Sequence, residues 1–429
     1  MEARSIRRSL VTIAVGLAMG SAGVAHATNG YFAHGYGTKA KGMGGVGMAI
    51  SQDAYAPAIN PAGIAGMETR IDGSLAYFRP ERSLTIDSGK GTMSVDSDSN
   101  NFFIPSFGYV QQIDATRSWG IALMGNGGLN TDYPAIENPG CPAPPQSAGN
   151  GVFCGGAAGV NLEQLAIIPT YAQQFADGQV SVGVSPIISY QRFKAKGIGA
   201  FAFDEQGNPT SVSPQHVSDN GTDATWGYGA QIGFKAEVAD GVTVGGSYRS
   251  KIRNSDFDDY RGLFAGGGSF DIPSTVGLGV SAEVTPSVTV SADYFRINYS
   301  DVDAISNPST NQAPLGSDNG PGFGWRDINV FKLGAQFETD TDWTWRVGYN
   351  RGQNPIRSRD VAFNVLAPGV IEHHFTAGFT KSFGSQHELN FAAMYAPSNS
   401  VTGPFDDQGT TAKIEMKQYE LEVGYAYRF

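Results

Sequence analysis

Three positive side chains, Arg249, Lys251 and Arg253, stand two residues apart, the spacing that puts alternate residues of an extended strand on one face. A row of this kind could steer or hold an anionic head group, because a carboxylate is bound well only where a cation meets it out of water. The competing reading pairs the same three cations with acidic residues such as Glu237, Glu283 or Asp293. Residues for catalysis are scarce. Beyond His26, the histidines are His34, His216, His373, His374 and His387, and no flanking sequence marks a nucleophile for one of them to activate. His373 and His374 are adjacent on an expected strand, so their rings point to opposite faces and do not form one metal site. The glycines between Gly35 and Gly47 lack the Gly-Lys-Ser/Thr ending of a phosphate loop. No catalytic residue, metal or cofactor is therefore expected.

The elements that must position such side chains read as strands. Period-2 alternation is clearest at the end, where Tyr419, Leu421, Val423, Tyr425, Tyr427 and Phe429 share one face and Gln418, Glu420, Glu422, Gly424, Ala426 and Arg428 the other. One face suits lipid and the other water. The same split sets Val242, Val244, Tyr248 and Ile252 against Thr243, Ser247, Arg249, Lys251 and Arg253. Fourteen segments of this kind begin near Thr69, Asn101, Ser118, Asn161, Gln179, Trp226, Val242, Phe270, Ser287, Trp325, Trp343, Val370, His387 and Lys413. Brief turns such as 114–117, 176–178 and 239–241 alternate with long polar connections, the arrangement of an outer-membrane barrel with its even strand number. Trp119, Trp325, Trp343 and Trp345 near strand ends fit interfacial girdles.

Export is written at the start. Arg4, Arg7 and Arg8 precede an apolar stretch from Leu10 to Met19 and small residues up to Ala27, so residues 1–27 read as a signal peptide that leaves Thr28 first. That leader carries three arginines and Glu2, so its removal takes the net charge from -11 to -13. An acidic chain argues against nucleic acid. A mean hydropathy of -0.21 does not argue against a membrane, since only alternate barrel residues face lipid. With 57 glycines and 11% aromatics, the composition suits strands better than helices. Cys141 and Cys154 share one Pro/Gly-rich loop, and an oxidising compartment favours a disulfide worth about 3 kcal/mol in the loop-entropy account.

Residues 28–68 have no strand period, yet hold Tyr31, Phe32, Met43, Met48, Ile50, Tyr55, Ile59, Ile64 and Met67. A flexible tail needs no such apolar content, and a barrel of fourteen strands has a lumen too wide for side chains alone to fill. The expected organisation is thus a signal peptide (1–27), a plug (28–68) and an all-β, 14-stranded antiparallel transmembrane barrel (69–429). Thr28-Asn29-Gly30-Tyr31-Phe32, the glycines from Gly42 to Gly47, and Gln52-Asp53-Ala54 leading to Asn60-Pro61-Ala62-Gly63 resemble the N-terminal hatch of FadL/TodX-type outer-membrane transporters. The resemblance implies passive uptake of long-chain fatty acids or other hydrophobic compounds, with Asn60, Pro61 and Ala62 as the hatch motif.

It also implies a kinked third strand that opens the wall sideways. The matching stretch is Gly125-Asn126-Gly127-Gly128, whose glycines suit a kink or, alternatively, the start of a flexible loop. Phe32, Met43, Met48 and Ile59, with inward Phe78 and Met394, are candidate walls for an alkyl chain, and Arg249, Lys251 and Arg253 for its head group. An outer groove implied between two loops would draw on Phe201, Phe203, Phe257, Leu263 and Phe264. The expected partners are a fatty acid or other hydrophobic small molecule, outer-membrane lipid and lipopolysaccharide, and the barrel assembly machinery that reads an aromatic C-terminus like Phe429. A monomer in the bacterial outer membrane is expected, and no nucleic acid. An aromatic-hydrocarbon channel, a general porin and a structural or adhesive barrel stand as alternatives.

Overall fold

The computed structural model describes residues 29–142, 149–204 and 206–429; the expected leader and its junction at Thr28 lie outside them. Fourteen antiparallel strands form a closed ring. They are β1 (Arg70–Asp87), β2 (Phe102–Gln112), β3 (Arg117–Tyr133), β4 (Ala158–Phe175), β5 (Val180–Lys196), β6 (Asp223–Ala239) and β7 (Val242–Arg249). The second half is β8 (Thr275–Thr285), β9 (Val288–Ile297), β10 (Ile328–Glu338), β11 (Trp343–Gly352), β12 (His373–Phe383), β13 (His387–Pro404) and β14 (Thr411–Arg428). Closure comes from β14 against β1, in register from Arg70↔Arg428 to Asp87↔Thr411. Two short pieces, Thr92–Asp96 on β1 and Arg253–Asn254 on β6, extend the sheet without joining the ring.

The pleat sorts side chains by solvent. On β14, Leu421, Val423 and Tyr425 are about half exposed on the outer face, whereas Glu420 and Glu422 are 2% and 1% exposed on the inner one. Tyr228, Ile232, Phe331, Leu333 and Val347 continue the outward apolar band. That pattern is stable only when lipid, not water, meets the outer face. The inner face differs from expectation: it is dry, because the N-terminal segment packs on it.

Several boundaries also move. Segments expected to begin near Phe270, Trp325 and Val370 begin at Thr275, Ile328 and His373. Phe270, Trp325 and Val370 are instead buried loop residues, apolar because the long loops fold over the mouth of the ring. Trp325 donates its indole N–H to Asn364 Oδ1 at 2.5 Å, so it belongs to that interior and not to a girdle, while Trp119 and Trp345 are exposed outside. Cys141 and Cys154 are joined by a disulfide, with Cα atoms 5.4 Å apart.

Candidate functional site

Inside the ring, residues 29–68 are held by polar groups that the strands aim inward. A short helix, α1 (Thr38–Gly42), carries Lys41 to Glu420 and Glu422 of β14 at 2.5 and 2.6 Å. Burial opposes the Lys41 charge, but the two carboxylates outweigh it and hold the ammonium above its ordinary range. Lys39 meets Glu388 of β13 at 2.7 Å, and Arg70 of β1 shares that carboxylate at 3.0 Å. On the opposite wall Asp293 of β9 accepts from the backbone N–H groups of Gly47 and Met48 at 2.7 and 3.0 Å, and Lys332 of β10 donates to the Gly45 carbonyl at 3.0 Å.

Asn60 caps the turn Pro61–Ile64 through Ala62 N–H. It also donates to the carbonyls of Met48 at 2.7 Å and Phe234 of β6 at 2.9 Å, so one side chain joins a turn, its own segment and the wall. The fit requires missing side chains on the strands. A Cβ at Gly183 would lie 2.3 Å from the Pro61 carbonyl carbon, and one at Gly233 2.1 Å from Asn60 Oδ1.

The third strand is irregular. Its register with β4 shifts between Gly125 and Gly127, a β-bulge that leaves Asn126 unpaired in the ladder and points its side chain inward, 2% exposed. Gly127 bridges to Phe32, and Gly128 N–H donates to the Tyr31 carbonyl at 3.2 Å. A Cβ at Gly127 would sit 2.2 Å from that carbonyl oxygen. Asn126 accepts from Arg249 at 3.1 Å, donates to Gln164 at 3.1 Å, and offers its own carbonyl to the Tyr36 hydroxyl at 3.0 Å.

Arg249 and Lys332 line one cleft of about 430 Å³ of free space, with Phe32, Tyr36, Ile59, Gln231 and Phe295 among its walls. The Arg249 guanidinium lies over the Phe32 ring at 5.1 Å and the Lys332 ammonium over Phe295 at 4.2 Å. Two cations thus stand on aromatic faces beside apolar surface, an arrangement suited to an amphiphile with one anionic end. A second cleft, about 480 Å³, opens among the long loops and is lined by Phe193, Ile198, Phe201, Leu263, Phe264 and Phe323. Rings connect the two: Phe193 to Phe264 at 4.7 Å, Phe264 to Phe270 at 4.9 Å, Phe270 to Tyr31 at 6.4 Å and Tyr31 to Phe32 at 4.9 Å.

From the residues singled out in the sequence, the cleft at Arg249 therefore gathers Phe32, Ile59 and Arg249 and the loop cleft Phe201, Leu263 and Phe264; the rest lie elsewhere. β7 ends at Arg249, so the alternation breaks: Ile252 is buried and Arg253 exposed, the reverse of the expected sides. Lys251 pairs with Asp271 at 3.1 Å. The anticipated acids Glu237 and Glu283 are exposed. Met43 and Met48 are buried where the segment meets the wall, beside the sites of Gly334 and Gly279. Phe78 and Met394 lie in the main apolar cluster, as does Phe257, while Phe203 is exposed. Sequence reasoning misses Lys332, whose only signal is a lone cation on the inward side of a strand whose outward side is Phe331 and Leu333.

Residues 22–429 match the family described as outer membrane protein transport protein (OMPP1/FadL/TodX). The chain belongs to this family. It is 22% identical to the long-chain fatty acid transport protein of Salmonella typhi over 422 residues, 89% of each chain. Its fold is similar to the toluene transporter TodX of P. putida (TM-score 0.66, 18% identity, 92% of this chain and 99% of that one). A FadL homologue from Pseudomonas aeruginosa is likewise similar (TM-score 0.68, 14% identity, 93% and 100%). As a member of the OMPP1/FadL/TodX family the protein is an outer-membrane transport channel and not an enzyme.

Proposed function

We propose that this channel carries long-chain fatty acids inward by passive diffusion, with residues 28–68 acting as a hatch. The observation that carries the reading is the pair Arg249 and Lys332 at the edge of an apolar cleft. A neutral hydrocarbon offers these two cations no counter-charge, whereas a fatty acid supplies both a carboxylate and a chain whose every buried CH₂ contributes about 0.8 kcal/mol. Similarity to the Salmonella typhi long-chain fatty acid transport protein supports the same cargo; similarity in fold to the toluene transporter TodX supports the rival one.

In this reading cargo enters the loop cleft, passes along the rings from Phe264 to Phe32 and meets Arg249. A carboxylate there competes with Asn126 for the guanidinium. Asn126 is the bulged residue of β3, so its release loosens the strand at Gly125–Gly128 and lets the chain leave sideways into the membrane. Outer-membrane lipid is then the receiving phase, with lipopolysaccharide around the rim and the barrel assembly machinery reading Phe429 during insertion. The channel works as a monomer, since one ring holds the whole path.

The test is uptake of labelled oleate and of toluene by cells whose own importers are deleted and which express this chain. Oleate uptake well above background is expected. Toluene entry without oleate entry would reject the fatty-acid reading in favour of an aromatic-hydrocarbon channel.

A further inference from the structure

Pairing between β2 and β3 stops early. Their register runs from Gln112↔Ser118 to Phe107↔Leu123, and Phe102–Ser106 pair only with β1. Above that gap the wall rejoins, because Asp98 N–H donates to the Asp132 carbonyl at 2.8 Å and Asp132 N–H to Ser97 Oγ at 2.9 Å. The result is a bounded window, with Met124–Asn130 of β3 on one side. The inward side of β1 places Arg82 at its upper rim. Arg82 is 2% exposed, lies over the Phe102 ring at 5.8 Å and donates from Nη1 to the carbonyl of Asn130 on β3.

The rest of the guanidinium has no hydrogen-bond partner among the described residues. Nε and Nη2 are buried and make no hydrogen bond among the described residues. Among the described residues no carboxylate pairs with Arg82 either: the nearby Tyr133 hydroxyl donates to the Val365 carbonyl at 3.1 Å, and the adjacent Glu81 pairs with Arg79 and Lys417. A buried cation without an anion is costly to keep, and buried donors are nearly always satisfied. Nε and Nη2 form the side-on edge of the fork, the edge that gives a carboxylate two parallel N–H bonds. The bond that Arg82 makes from Nη1 to Asn130 leaves that edge whole.

We propose that Arg82 is a second head-group station, which takes the carboxylate of the cargo at the rim of the window after it has left Arg249 and Lys332. The inference rests on the fatty-acid reading above. It adds a site on the exit side, with the alkyl chain lying in the gap while the head is still held. The edge is covered in the described conformation, so the station fills as β3 moves away from the Asn130 contact. An arginine that only braced β3 would need no free edge.

The experiment compares Arg82→Gln and Arg82→Lys with the parent chain, each matched for folded protein in the membrane, for uptake of oleate and of toluene. Loss of the charge in Arg82→Gln is expected to slow oleate on the order of 10-fold and to leave toluene unchanged. Arg82→Lys keeps the charge but loses the fork, so an intermediate oleate rate is expected with toluene again unchanged. That comparison decides the matter if the glutamine variant fails to fold. Equal loss for both cargoes would make Arg82 a brace, and no loss for either would leave it without a role in transport; both overturn the station. A parent chain that carries toluene but no oleate removes the fatty-acid reading itself and this station with it, whereas normal oleate uptake in both variants removes the station alone.

Discussion

At the scale of single residues, the chemistry of this channel reduces to a few charges that the barrel keeps dry. Arg249 and Lys332 face one apolar cleft, so replacing either by Gln should weaken fatty-acid uptake on the order of 10-fold while leaving toluene entry intact, since a charge-assisted hydrogen bond is worth about 1.5–3 kcal/mol. Competition between the two cargoes in an uptake assay checks it, and parallel loss of both would count against a head-group role. His34 and Asp53 make a pH prediction. The His34 ring stacks on His374 with centroids 6.0 Å apart. Burial, then Lys41 and Lys332, hold its imidazole well below the ordinary value, so docking loses stability as pH falls below about 6.5, where a released histidine takes a proton. Asp53 has the opposite sign. Burial, then Asp72, push its carboxyl up to about 6, so docking gains stability as pH falls from about 6 towards the ordinary value near 4. Between those limits the two oppose one another. Relative to the parent, His34→Gln should hold the segment more tightly at pH 5 than at pH 7, and Asp53→Asn less tightly. Protease protection of residues 29–68 across that range reads the difference, and parallel profiles for the two variants would refute it.

At the scale of elements, packing between segment and wall depends on what the strands lack. Gly183 and Gly233 leave room for Pro61 and Asn60, so Val at either position should push the segment off β5 and β6 while the strands still form. Asn60→Ala removes the turn cap, one bond to Met48 within the segment and one bond to Phe234 of the wall, about 1 kcal/mol each. Enhanced proteolysis of the segment with an unchanged heat-stable barrel is the expected result for all three. The strands were legible from the sequence because a sheet with lipid on one face imposes strict alternation, which is why fourteen segments could be counted. The site was less legible for a related reason. Alternation located Arg249, but it breaks where β7 ends, and Lys251 and Arg253 then leave the interior. Lys332 is one cation in a regular strand, and only the path of residues 29–68 shows that it meets Arg249. Phe270, Trp325 and Val370 misled because a loop folded over the barrel mouth is as apolar as a strand facing lipid.

At the scale of the whole molecule, the ring and its contents solve different problems. The ring satisfies its backbone by closing β14 on β1, and its outward band is satisfied by lipid, so neither depends on the segment inside. The contents do depend on the ring: Lys39, Lys41, Gly47, Met48 and Asn60 all find their partners on strands. Deleting residues 28–68 should therefore leave a barrel that inserts and resists heat, although Glu420 and Glu422 then lose Lys41 and must hydrate, while Glu388 loses Lys39 but keeps Arg70 and Arg428. Water entering to solvate those carboxylates would turn the lumen into an open, acidic pore. Planar-bilayer recording should find steps of conductance that the parent lacks, with cations preferred over anions because the exposed wall keeps its carboxylates after losing two lysines. Oleate uptake should lose its dependence on Arg249 in the same variant, since Phe32 and Ile59 leave with the segment and the cleft loses the walls that hold an alkyl chain beside the cation. A deletion variant that inserts normally yet stays electrically silent would mean that the long loops, and not the segment, close the channel.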